Sequence, residues 1–239
     1  AAGLCLGALV LFSSIAAAQQ QPTTLEELQR FYPPVEDRAN AALVYQKAVD
    51  ARVLIEDEYD RETPILGGDK PLPLPAEPLS PKAKGVLVKV LEANTTTLQL
   101  LHEAAAMTQC RFPADLTKGP AVELQYLARM RDLARLLAAQ ALNAADDGKA
   151  ELAVQSLLDG MALAQSLRKE PLIISQLVRI ALWSIAVDAL EQVVNRVPLN
   201  ERLLLQLQGA LVKADDREAV TRAFQGELCV TMSYETETP

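Results

Sequence analysis

His102 is the only histidine in the chain; Glu103 follows it, and Cys110 stands a few residues on. A thiol beside an imidazole is the pairing nucleophilic enzymes use to hold a thiolate near neutral pH. In LQLLHEAAAM, however, the histidine borders an apolar helical face, and neighbours in sequence need not meet in space. The pattern therefore predicts a boundary histidine and a structural cysteine. The run IEDEYDRE sets acids at 56, 57, 58, 60 and 62, an alternation like that of calcium loops, but Arg61 stands where such a loop needs glycine. A solvated acidic face is the expectation. One histidine cannot supply the two Glu-x-x-His motifs of a bundle di-metal site, and Cys110 and Cys229 add too few ligands for structural zinc. No glycine-rich phosphate loop, nucleophile elbow, HExxH or CxxC occurs. No catalytic residue, metal or cofactor is expected.

The more informative polar residues lie in PLIISQLVRIALWSIAVDALEQVV, residues 171–194. The stretch is long and greasy enough for a membrane span. Arg179 and Asp188 near its middle would each cost ~2.5–3.5 kcal/mol in a bilayer, so a protein-buried helix is predicted and no span in the mature chain. At 100° per residue Ser175, Gln176 and Arg179 share one side, while Ser184, Asp188, Glu191 and Asn195 lie nearly opposite. The expectation is a wet face that switches halfway, with 180–187 enclosed by neighbours. Trp183 falls one turn beyond Arg179, where a guanidinium could lie over the indole, and Asp159 counts back across the turn to the level of Arg179. Gln176, Arg179, Trp183 and Asp159 thus form a candidate groove for a ligand or partner. The plainer alternatives are an arginine that packs its stem and reaches water, and an Asp159 solvated beside Gln155 and Ser166.

The elements that must position these residues are helical. Half of the 239 residues are hydrophobic, aromatics are 4%, and Ala and Leu dominate, so strong helix formers fill the periodic segments. Antiparallel helical hairpins stacked as a bundle or short array are expected. Residues 1–18, an apolar stretch ending Ala16-Ala17-Ala18, read as a signal peptide whose first few residues precede the sequence, and hence an exported, periplasmic or envelope protein. Residues 19–58 read as N-terminal helices: Thr24 to Glu27 is a capping box, Pro33-Pro34 a stop, and about 36–57 a longer helix. Residues 59–80 carry prolines at 64, 71, 73, 75 and 78 and read as an extended linker, a strap, or a ligand for a proline-reading groove. Residues 81–239 read as the helical array. Ser80 and Pro81 open a helix to about 107, and helices follow at about 120–147, 149–168, 171–196, 200–214 and 216–230, the last behind a capping box from Asp215 to Glu218. In the first of these, Val122, Tyr126, Met130, Leu133, Leu137 and Ala144 share a packing side opposite Gln125, Arg131, Asp132 and Arg135. Helix parity places Cys110 and Cys229 at opposite levels, too far apart for a disulfide.

The hairpin 137–160 resembles one tetratricopeptide unit: small residues stand at Ala141, Ala153 and Gly160, Gly148 makes the turn, and Leu137 and Leu157 fill slots where that family often has aromatics. The resemblance implies helical-hairpin stacking. The mature chain also resembles a group of exported all-helical proteins of planctomycete-type bacteria, through Asn40-Ala41-Ala42 with Tyr45, Cys110-Arg111-Phe112-Pro113, and Glu170-Pro171-Leu172-Ile173. That resemblance implies export and an all-α fold, and no activity.

A net charge of −8 repels phosphate backbones, and the few aromatics leave no stacking ladder, so no nucleic acid is expected as a partner. The sequence points to a noncatalytic helical protein that contacts another protein or its own copy, or scaffolds the envelope. An enzyme or small-ligand binder with a polar site around Arg179 is the rival, and a purely structural spacer the third reading.

Overall fold

The computed structural model describes residues 24–55, 63–67 and 77–237. The expected signal peptide, the acids of IEDEYDRE and most of the proline-rich stretch lie outside the described residues. Those described are all-helical and pack as a bundle.

Helix α1 (Leu25–Phe31) opens as the sequence predicts, with the Glu27 amide donating to Thr24 Oγ1 at 3.2 Å. The next helix is shorter than the expected 36–57. Asp37–Ala39 forms a 3₁₀ turn, α2 spans Ala41–Asp50, and Asn40, in an extended conformation, caps it by accepting the Ala42 amide at 3.1 Å. Beyond α2 the chain is captured from a distance. The Val53 amide donates to Asn94 Oδ1, and Asn94 Nδ2 donates to the Val53 carbonyl, both at 2.8 Å. That bond also overturns the single helix expected to about 107. α3 (Pro81–Ala93) and α4 (Thr95–Ala105) break at Asn94, whose fully buried side chain serves the Val53 backbone. Such a buried amide must be satisfied, and this geometry satisfies it at the expense of helix continuity.

In the proline-rich stretch residues 63–67 lie against the bundle. Pro64–Leu66 makes a 3₁₀ turn that buries Ile65 and Leu66 and packs on α5 (Gln125–Asp146). Gly67 leaves that turn at φ +108, where a Cβ would lie 3.1 Å from the Arg135 guanidinium. The expected start of α5 near 120 gives way to a 3₁₀ segment, Leu116–Ala121, because Gly119 takes a non-helical conformation within it.

α5 is the central element. Its first half is two-faced as predicted, with Tyr126, Met130 and Leu133 buried and Gln125 and Arg131 exposed, but between Leu136 and Ala145 almost every position is buried. Neighbours on several sides require this, since α5 packs against α2, α3, α6 (Ala150–Ser166) and α7 (Ile173–Arg196). The α5–α6 turn uses Gly148 at φ +72, a left-handed conformation that favours glycine. α8 (Glu201–Leu211) packs on α6, and α9 (Arg217–Glu237) packs on α7 and α1. The cap of α9 is Asp216, which accepts the Ala219 amide at 3.0 Å, one residue later than expected. Apart from the main core, Leu28, Leu116, Leu172, Cys229 and Val230 form a second, small cluster joining α1 to α9. Cys110 packs against the main core and Cys229 lies in the small one, and neither forms a disulfide.

Candidate functional site

The first half of α7 presents its residues the opposite way round from the expectation, while Ser184, Asp188, Glu191 and Asn195 in its second half face solvent as expected. Ser175, Gln176 and Arg179 are buried, Arg179 being 3% exposed, whereas Ile174, Leu177, Ile180, Val187 and Val194 face outward. The segment 180–187 is therefore not enclosed, and no wet face switches sides: one face stays open along the whole helix. The cause lies at its start. Gln176 Nε2 donates to the Leu167 and Glu170 carbonyls, each at 2.9 Å, satisfying the α6–α7 turn from inside. A polar side chain bonded to buried carbonyls belongs in the core, so the aliphatic residues opposite it turn out.

Of the four residues proposed as a groove, Gln176, Arg179 and Trp183 share the buried side of α7, and Asp159 does not join them. Asp159 faces α4 instead, where its carboxylate meets His102 Nδ1 at 3.2 Å and accepts Gln155 Nε2 at 2.9 Å. Burial raises its pKa, against the hydrogen bonds from Gln155 and His102. The acid near Arg179 is Asp216, whose backbone carbonyl lies 3.5 Å from Arg179 Nη2 while its carboxylate pairs with Arg168 and, at 3.5 Å, with Arg222. Two guanidiniums thus engage the Asp216 carboxylate and a third its backbone carbonyl. Against the upward push of burial, hydrogen bonds from Arg168 and the Ala219 amide, with the charges of Arg168 and Arg222, hold Asp216 below the usual carboxylate range. Arg179 Nε and Nη1, and Trp183 Nε1, have no hydrogen-bond partner among the described residues. Among the described residues no guanidinium lies over Trp183. The cation–ring contact among the described residues is Arg111 over Tyr32, at 4.6 Å.

A second constellation was invisible in the sequence. Tyr45, Phe112 and Tyr126 stack in series through the core, with centroids 6.4 and 4.5 Å apart. The Tyr126 hydroxyl ends the series at the Glu170 carboxylate, 2.8 Å from each oxygen. Asn40 ties the same region together: its Nδ2 donates to the Arg111 carbonyl and its Oδ1 accepts the Arg111 amide, both at 2.9 Å. The three short motifs at 40–45, 110–113 and 170–173 therefore converge. Burial raises the Glu170 carboxyl to about 7, while the Ser175 and Tyr126 hydroxyls and the charge of Arg111 pull it back.

Beside this spine lies a cavity of about 520 Å³ between α2, α4, α6 and the turn after α8. Its interior includes Tyr45, Leu158, Met161 and Cys110, and its charged lining is Arg168, Lys169 and Lys213. His102 lies outside this lining and turns to Asp159, so the thiol–imidazole pair does not form. Burial pushes the Cys110 thiol up to about 12, with the charge of Glu170 adding to it, which keeps the sulfur protonated at neutral pH. Among the described residues no group of three or more His, Cys, Asp or Glu side chains could hold a metal ion.

An apolar surface flanks the arginine cluster. On α9, Val220, Phe224, Leu228 and Met232 repeat every fourth residue on the open side, while Ala219, Ala223 and Val230 face inward. α9 is pressed close to the start of α7: a Cβ on Gly226 would lie 2.0 Å from the Pro171 carbonyl oxygen, and the Ile173 amide donates to Glu227 Oε2 at 3.2 Å. By length and composition α7 is apolar enough to cross a membrane, with mean hydropathy 1.6, yet its buried side carries Gln176 and Arg179 among protein neighbours.

No protein-family model matches the chain, no curated protein matches it in sequence, and no solved structure matches it.

Proposed function

We propose that this chain is a noncatalytic, exported helical-bundle protein that works by protein–protein contact, and that it pairs with its own copy through the outer faces of α7 and α9. The carrying observation is the open aliphatic stripe on two adjacent helices. Leu177 is 57% and Leu228 62% exposed, and Ile174, Ile180, Phe224 and Met232 are each about half exposed. Together the outward apolar side chains of α7 and α9 offer on the order of 800 Å², the area one partner contributes to a standard protein interface. Patches of this size on a monomer mark contact surfaces. In a two-fold, isologous contact each stripe would meet its like. Export rests on the apolar stretch ending Ala16-Ala17-Ala18.

Sedimentation equilibrium of the wild type and of the Leu177→Glu/Leu228→Glu variant tests the pairing. The wild type is expected to be dimeric at micromolar concentration, and the variant monomeric with an unchanged helical signal. A wild type that stays monomeric at 100-fold higher concentration would defeat self-association. The N-terminal segment encoded by the gene, from its initiator methionine through residue 30, fused to an alkaline phosphatase reporter active only after export, tests the location; an inactive fusion retained in the cytoplasm would defeat it.

A further inference from the structure

We infer that the cavity between α2, α4, α6 and the turn after α8 binds a small amphipathic carboxylate, its apolar body among Leu158 and Met161 and its head group at Lys169 and Lys213. The volume comes first. About 520 Å³ falls within the range of ~300–1,000 Å³ that accommodates drug-sized molecules, far above a packing defect. Helix packing elsewhere in the same bundle is tighter: the gap between α5, α6 and α7 lined by Leu137, Gly160 and Leu182 is about 10 Å³. The large space is thus a local feature and not a loose core.

The chemistry of the wall is divided. Ala104, Leu158, Met161 and Ala162 make an apolar side, and every charged residue in the lining is a cation. This occurs in a chain where acids outnumber bases 31 to 23, so the rim runs against the charge of the molecule. Arg168 is already engaged by Asp216. Lys169 and Lys213 form no ion pair among the described residues, which leaves two ammonium groups at the entrance to meet an anion. Tyr45, 2% exposed and in the lining, has a hydroxyl with no hydrogen-bond partner among the described residues. That hydroxyl is not itself enclosed and opens on the cavity, where water or a ligand can satisfy it. A neutral apolar molecule would fill the interior but leave the lysines unused, and an inorganic anion would meet the lysines but leave the apolar wall wet. A molecule with both parts matches both surfaces.

Titration of the whole protein with decanoate below its micelle threshold, by isothermal calorimetry, tests this, with 1-decanol as the neutral match. One site per chain is expected for decanoate, and at least tenfold weaker binding for 1-decanol. The exposed pair Lys169→Glu/Lys213→Glu should weaken decanoate tenfold or more at an unchanged melting temperature, and Ala162→Phe should remove binding by filling the wall. Saturable decanoate binding that the lysine pair leaves unchanged, or equal affinity for acid and alcohol, overturns the charged rim. Absence of saturable decanoate binding to the wild type overturns the site.

Discussion

Replacing Glu170 by glutamine should change how stability depends on pH while leaving the fold intact. The carboxyl is 2% exposed and stands at about 7 in the folded protein, against 4.5 when free. Its folded pKa is raised, so the native state holds the proton more tightly than the unfolded chain does. The associated stability is complete below about pH 4.5 and is lost as pH rises through about 7. At 1.36 kcal/mol per unit, the gap corresponds to about 3 kcal/mol. In Glu170→Gln the side chain stays neutral and of similar size, and its amide oxygen can still accept from the Tyr126 hydroxyl. Urea unfolding of both proteins from pH 4.5 to 8 isolates the effect, because the remaining acids titrate in both and cancel in the difference. The variant should match the wild type near pH 4.5 and exceed it by about 3 kcal/mol at pH 8, with the change centred between. Two curves parallel to within about 0.5 kcal/mol over that range, or a variant weaker than wild type at pH 8, would refute the assignment of a strained, buried carboxylate.

Gly226→Ala should lower the melting temperature by roughly 5–10 °C, a loss of about 2–3 kcal/mol, because the new methyl meets the Pro171 backbone and pushes α9 off α7; an unchanged melt would show that the two helices are not so closely joined. Asn94→Ala should cost about 2–4 kcal/mol in urea unfolding, since it strands the Val53 amide and carbonyl and frees the helix to run through. Thiol titration of denatured, unreduced protein should find Cys110 and Cys229 both free; complete protection would contradict the separate clusters they occupy.

The all-α class and most helix ends were legible because caps are local. Thr24 and Ser80 each accept the amide three residues on, as their spacing suggests, and Asn200 does the same. What failed depended on partners distant in the chain. The helical period runs unbroken through Asn94, and only its bonds to Val53, 41 residues away, turn one helix into two. On α7, periodicity correctly grouped Gln176 with Arg179, but a period fixes which residues share a side and not which side is inside. The carbonyls of Leu167 and Glu170 decide that, and nothing in composition marks them. Asp159 was placed at the level of Arg179 by counting along helices, whereas its rotation on α6 turns it to His102. The aromatic series was missed for a similar reason: Tyr45, Phe112 and Tyr126 are unremarkable singly, and their stacking exists only once α2, α5 and the 110–113 joint are assembled.

The small cluster between α1 and α9 has a mechanical consequence. Tension applied through α1 and α9 passes across Leu28, Leu116, Leu172, Cys229 and Val230 before it reaches the main core, and those few contacts are a small fraction of the buried apolar surface. The seam yields first. Pulling therefore peels two outer helices while α5, α6 and α7 remain packed, and the open stripe of α9 leaves the stripe of α7. A surface made of two helices, one of them held by this seam, the close contact at Pro171 and the Asp216 ion pair with Arg168, is one that force along the chain ends reaches before the core behind it.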